Sequence, residues 1–304
     1  IMVGELFRDE VKGWMVRLVN CNNLLDLLPN GATMVMQKPD QIEKLKDMIV
    51  DYNKGGMDYE FLDMLIIDAG AGGGGTDIAQ FMMKEWLGKD NKYHLGFIDQ
   101  DDPYMKLRAD DYPLNSEKLR MFNFKRDKVA AYERTQNAIN QGLVIFPTAP
   151  NTRGEIEFEV DDPDGGAAIR YEKLSYQEKN ALQQLDLAKE ELVGTEKEKR
   201  PNGAVQFNLS AEAKSSHMHD DRADCVAMIC HRLMEIRADE ALNIIHEGSK
   251  FYDFFAKAGQ RISSTNAGNT LGAGRNPFAN RDGVVLVLNW KRTATHARLE
   301  WRFR

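Results

Sequence analysis

Apolar positions recur with a period of two in some stretches and of three to four in others, and the switches between them mark the elements of the chain. Ile1–Leu6 and Trp14–Val19 are short apolar, partly β-branched runs joined by the polar turn Arg8-Asp9-Glu10, which predicts two strands. Gln41–Asn53 puts Ile42, Leu45, Met48, Ile49 and Tyr52 on one helical face, with Pro39 ahead of it and Gly55-Gly56 behind. Leu62–Ile67 is a strand that ends in Asp68 and a glycine loop. Thr76 then serves as N-cap of a helix to about Trp86, with Ile78, Phe81 and Met82 inward. Leu95–Ile98 predicts another strand, and the Asp- and Pro-rich stretch Asp99–Ser116 an irregular connection.

Lys125–Gln141 predicts a helix stopped by Gly142, followed by a strand over Leu143–Phe146. Glu155–Val160 and Ala167–Tyr171 flank the turn residues Asp162-Pro163-Asp164-Gly165-Gly166, a hairpin pattern. Ser175-Tyr176-Gln177-Glu178 has capping-box spacing and opens a helix to about Val193. Thr195–Gly203 reads as a charged loop and Ala204–Asn208 as a strand. Asp220–Arg237 is a long helix, extended or followed by a second to about Ala258; its first half is apolar on most sides. Gly268–Asp282 is Gly/Asn-rich and reads as flexible, and Val284–Leu288 as a strand. The division expected is 1–260 as one domain and 261–304 as a poorly defined tail.

Composition narrows the field only modestly. Of 304 residues, 42% are hydrophobic and 29% charged, ordinary for a globular chain. No apolar run approaches membrane-spanning length, so no membrane partner is expected. Three cysteines without a Cys-x-x-Cys pair point to a reducing compartment and away from structural zinc. A net charge of −7 argues against a protein that coats nucleic acid, yet it suits an acidic site masked by a divalent cation. Phosphate contacts would then need local basic patches, for which Lys118–Lys128 and the stretch with Lys291 and Arg292 are candidates; either is equally a solvated face.

Two acidic clusters carry the candidate chemistry. Asp68 stands at the carboxyl end of a strand, where ligand and metal sites of open α/β sheets lie. His219-Asp220-Asp221-Arg222-Ala223-Asp224 opens the long helix, and Asp221 and Asp224, three apart, share a face. Taken alone, these aspartates suit an N-cap and a first-turn acid. Taken with Asp68, they suit oxygen ligands of Mg²⁺ or Mn²⁺ in a two-ion site for phosphodiester hydrolysis. The loop Gly70-Ala71-Gly72-Gly73-Gly74-Gly75-Thr76 lacks Gly-Lys-Ser/Thr, so it is no Walker A loop. Its Gly-x-Gly-x-x-Gly match is weak in so glycine-rich a run, and a tight strand-to-helix turn explains it better. His219 reads either as a group ordering an acid or as an exposed loop residue, and Cys225 and Cys230 as core.

On these residues the chain resembles the nuclease domain of tailed-phage terminase large subunits, the motors that package DNA. Leu65-Ile66-Ile67-Asp68-Ala69-Gly70-Ala71-Gly72-Gly73 is similar to that family's second acidic motif. His219-Asp220-Asp221-Arg222-Ala223-Asp224-Cys225 is similar to its third, and the helix Gln41–Asn53 precedes the Asp68 strand in family-like order. The resemblance spans roughly Ile1–Ala258. It implies an α/β fold, an RNase H-like mixed β-sheet flanked by helices on both faces. It also implies a two-metal endonuclease acting on double-stranded DNA in the host cytoplasm, with Asp68, Asp221 and Asp224 as catalytic metal ligands and Asp220 as a further one. The implied partners are the ATPase domain of the same motor, the portal ring and the small terminase subunit.

Asp221-Arg222-Ala223-Asp224 also resembles the closing motif of Holliday-junction resolvases, so a junction-cutting enzyme is the rival activity. The family's first acidic motif, an Asp on a strand before Ile1–Leu6, has no counterpart in the sequence, and the ATPase domain with its Walker A loop is absent as well. The sequence opens directly on a strand, as a fragment would. A first strand that is missing implies weak or no cleavage by this polypeptide alone, or a fragment that only docks to DNA or portal.

Overall fold

A computed structural model describes residues 1–27, 33–53, 59–70, 75–151, 153–162, 166–216, 218–261 and 285–286. Strands β1 (Met2–Asp9) and β2 (Gly13–Cys21) form an antiparallel hairpin. Its turn is closed by Asp9 Oδ1, which accepts from the backbone N–H of Val11 and Lys12 at 2.9 and 2.8 Å. A small hairpin of β3 (Leu25–Leu27) and β4 (Thr33–Val35) leads to helix α1 (Lys38–Tyr52). Pro39 sits inside the first turn of α1, where its missing N–H costs nothing, rather than ahead of the helix.

Strand β5 (Met64–Asp68) and helix α2 (Gly75–Met82) follow. The helix starts one residue before Thr76, so Thr76 is not its cap, and it ends before the strand pair β6 (Trp86–Leu87) and β7 (Tyr93–His94). Leu95–Ile98 is not a strand. Phe97 and Ile98 are buried loop residues, and Phe97 bridges to Ser116 alone. Helix α3 (Pro103–Leu107) and a 3₁₀ turn at Ala109–Asp111 interrupt the expected irregular stretch. Asp102 caps α3 by accepting from Met105 N–H at 2.9 Å, and Pro103 begins it.

Strand β8 (Leu119–Phe122), helix α4 (Phe124–Asn140) and strand β9 (Val144–Ile145) come next. The hairpin of β10 (Glu155–Asp162) and β11 (Gly166–Lys173) is as its turn chemistry predicts. Helix α5 (Tyr176–Val193) opens with the Ser175/Glu178 capping box in both directions. Thr195–Lys199 is strand β12, not loop, paired antiparallel with β13 (Val205–Leu209). The short α6 (Ala211–Ser215) precedes α7 (Asp221–Arg261), one continuous helix where the sequence leaves one or two open. Strand β14 (Val285–Leu286) lies within the expected Val284–Leu288. The glycines at 72–74, the Gly268–Asp282 stretch and Lys291 and Arg292 lie outside the described residues.

The molecule is mixed α/β: among the described residues it has seven α-helices and several small sheets. The order β1-β2-β9 forms a mixed three-stranded sheet, because β9 runs parallel to β2. The order β14-β5-β8 forms a parallel one, and β14 also lies against β1. Each face has its own core. Met2, Leu6 and Ile66 point into one, with Tyr132 of α4, Leu185 of α5 and Ala223–Leu233 of α7. Val3, Leu65 and Ile67 point into the other, with α1, α2 and α3. Two buried faces explain why β5 reads as an unbroken apolar run. Burying each of Leu65, Ile66 and Ile67 contributes roughly 1.5–3 kcal/mol. No described helix is long and apolar enough to cross a membrane.

Candidate functional site

The parallel strand β5 delivers Asp68 to its carboxyl end, where the apolar run gives way and the side chain is exposed. Asp68 Oδ1 accepts from the Gly70 N–H at 2.9 Å, a local turn at the strand end. Gly75 then returns it so closely that a Cβ there would stand 1.7 Å from the Asp68 carbonyl oxygen. Only glycine permits that approach, so the end of the loop is fixed against the backbone of the acid.

Helix α7 brings the second cluster from the opposite direction. Asp221 is its first residue and Asp224 lies one turn in. A helix start needs partners for its free N–H groups. Here they come from α5: Glu191, only 2% exposed, accepts from Arg222 N–H at 2.8 Å and Ala223 N–H at 3.0 Å and also pairs with the Arg222 guanidinium. Arg222 Nε donates to Gln184 Oε1 at 2.8 Å. The Asp224 N–H goes to the Asp220 carbonyl at 2.8 Å. Glu191 thus accepts two of the N–H groups at this helix start, while Asp221 and Asp224 are the acids of its first turn, as the simple explanation of the aspartates expects.

Two α4 residues one turn apart reach these carboxylates. Lys128 Nζ donates to Asp220 Oδ2 at 2.8 Å and lies 3.6 Å from Asp224 Oδ1. Tyr132 OH donates to Asp224 Oδ1 at 2.7 Å. Burial is the main reason the Asp224 carboxyl is pushed up to about 6; Tyr132 and Lys128 oppose the rise, and the charges of Asp220 and Asp68 add to it. The charge of Asp68 is the smallest of these influences on Asp224. Burial would lower the Lys128 ammonium, but Asp220 and Asp224 outweigh it and the net direction is up. Burial and Asp224 both push the Tyr132 phenol up, so it stays a donor.

Asp220 and Asp224 share Lys128, and Asp68 stands apart from them with no hydrogen bond or ion pair to either among the described residues. Asp221 is exposed, and among the described residues no hydrogen bond or ion pair ties it to these acids. His219 is exposed in the connection before α7. Burial pushes the Cys225 and Cys230 thiols up to about 12, in keeping with core residues.

The basic run Lys118–Lys128 is not a single phosphate-facing patch. Lys118 donates to the carbonyls of Tyr59 and Leu62, Arg120 pairs with Glu235, Arg126 with Asp127 and Lys128 with Asp220. Tyr132 and Glu191 are the residues that the sequence did not single out, and Lys128 stood out only as part of the basic run. Glu191 did leave a trace, since it falls on the same helical stripe as Gln184 and Ala188.

Among the described residues no three His, Cys, Asp or Glu side chains converge as a ready metal cage. The donors nonetheless suit a hard cation. They are carboxylate oxygens carrying more negative charge than Lys128 offsets, and Mg²⁺ keeps several waters and needs few protein ligands. No protein-family model matches the chain, and neither the curated proteins nor the solved structures contain a match.

Proposed function

We propose that this chain is the nuclease domain of a viral DNA-packaging terminase, cutting double-stranded DNA by Mg²⁺- or Mn²⁺-dependent phosphodiester hydrolysis. What supports the reading is the acid pair Asp220 and Asp224, held by Lys128 and Tyr132 at a helix start where Glu191 accepts two N–H groups, with the charge of Asp68 adding a small push to the rise at Asp224. An RNase H-like sheet is supported by the neighbour order β2, β1, β14, β5, β8, in which the last three strands are parallel. In that reading β14 takes the slot of the family's first strand.

Divalent cations bound by Asp68, Asp220 and Asp224, with Asp221 at the rim, would activate water and stabilise the leaving oxygen. The protein's part is positional. Tyr132 fixes one oxygen of Asp224, Glu191 anchors the turn that carries it, and Gly75 holds the loop against Asp68. Lys128 balances the acids before a cation enters.

Nicking of supercoiled plasmid in Mn²⁺ tests the proposal. Slow cleavage is expected, because the first acid is not recognisable, and it should vanish in EDTA, in Asp68→Ala and in Asp224→Asn. Cleavage that survives both substitutions, or a chain that neither cuts nor binds Mn²⁺, overturns it.

A further inference from the structure

A groove of about 320 Å³ opens beside the acids, walled by the start of α4 and by the β12–β13 hairpin. Lys125, Lys128 and Arg200 line it over an apolar floor of Phe124, Val129 and Phe207. None of its described lining residues is an acid. Lys125 and Arg200 are exposed. The Arg200 Nε donates to Gln206 Oε1, which lines the same groove.

Two contacts join the groove to the site. Lys128 lines the groove and also donates to Asp220. Phe207 stacks on Tyr132, ring centroids 5.2 Å apart, and the Tyr132 hydroxyl holds Asp224. A ligand running past Lys125 and Arg200 therefore arrives at the carboxylates. Glu198 is bonded to Gln206 and Asn208 at one wall and Lys128 pairs with Asp220, so Lys125 and Arg200 are the cations that face outward over the apolar floor, a pair complementary to a phosphodiester chain.

We infer that this groove is the track for the DNA backbone, with Lys125 and Arg200 holding phosphates that flank the bond presented to Asp68 and Asp224. The inference deepens the nuclease reading by placing its substrate, and it makes the β12–β13 hairpin a part of the binding surface.

The test is binding of a short fluorescein-labelled DNA duplex in EDTA, followed by anisotropy across a salt titration. Each lost phosphate contact should flatten the slope of log K against log salt by about 0.9. Lys125→Ala/Arg200→Ala should thus flatten it by about 2 and weaken binding roughly tenfold at moderate salt. Both side chains are exposed, so the thermal midpoint should hold. Lys84→Ala/Lys106→Ala removes the same charge from exposed sites outside the groove and should change neither quantity appreciably. An unchanged slope in the groove variant, an equal loss in the control, or a wild type that binds no DNA overturns the inference. A groove variant with lost binding in a protein that never cuts in Mn²⁺ leaves the groove standing and removes the nuclease. Wild-type binding by that variant, in a protein that does cut, does the reverse.

Discussion

Replacing Asp224 by Asn should stabilise the metal-free protein, contrary to the usual effect of altering a buried hydrogen-bonded residue. Asp224 is pushed from 3.8 to about 6 because its charge is buried beside Asp220 and Asp68, and Tyr132 and Lys128 compensate only in part. A carboxyl with a raised folded value contributes stability that is complete below 3.8 and is lost as pH rises through about 6. At about 1.4 kcal/mol for each tenfold change in acidity, the loss approaches 3 kcal/mol at pH 8. Asn keeps an oxygen for the Tyr132 hydroxyl and carries no charge. Asp224→Asn should therefore raise the thermal midpoint in EDTA at pH 8 by roughly 5 °C, and the gain should fade to nothing near pH 4. Mn²⁺ should raise the midpoint of the wild type more than that of the variant, because the variant lacks one of the carboxylates that would hold it. A variant less stable than wild type at pH 8, or one whose difference is the same at pH 4 and pH 8, would show that Asp224 is a structural acid and refute the argument.

The remaining expectations concern the parts that support the site. Glu191→Gln removes a buried charge from the Arg222 guanidinium and weakens the acceptor for two helix N–H groups, and should cost about 3–5 kcal/mol in urea unfolding; a loss under 1 kcal/mol would dismiss Glu191 as the anchor of α7. Gly75→Ala forces a methyl onto the Asp68 carbonyl, so a cost of about 1–3 kcal/mol and weaker Mn²⁺ binding are expected, and wild-type stability would contradict that contact. Burial opposes ionisation of Glu235, but His231 and Arg120 outweigh it and hold the carboxyl down to about 2. That group contributes up to about 3 kcal/mol above pH 4.5, lost as pH falls toward 2, so Glu235→Gln should flatten the acid limb of the stability curve. Deleting residues 262–304 removes β14 from between β1 and β5 and should lower the thermal midpoint by several degrees; an unchanged value would deny β14 a place in the sheet.

What the sequence made legible were features whose causes are local. The Ser175 box, the paired strands β10 and β11 and the apolar run into Asp68 each follow from a few neighbouring residues, and each is found where expected. Strand β12 was hidden because Glu196–Lys199 is exposed and charged, and its partner β13 carries the apolar residues, Phe207 and Leu209. The run Phe97-Ile98 misled for the opposite reason, since a buried loop is as apolar as a strand. In the site, the acids were visible by type and spacing, whereas their governors were not. Lys128 belongs to a basic run in sequence and to an acid pair in space, and Glu191 lies 31 residues from the N–H it caps. Such pairings depend on how α4, α5 and α7 pack, and no local pattern contains that.

The most direct measurement of the central claim is an anomalous difference map from crystals soaked in Mn²⁺. The account predicts two ions about 4 Å apart, coordinated by Asp68 and Asp224 with Asp220 or Asp221 beside them, and Lys128 displaced from its acids. Crystals that show no ion within reach of both Asp68 and Asp224, with Lys128 still bound to Asp220, would contradict it.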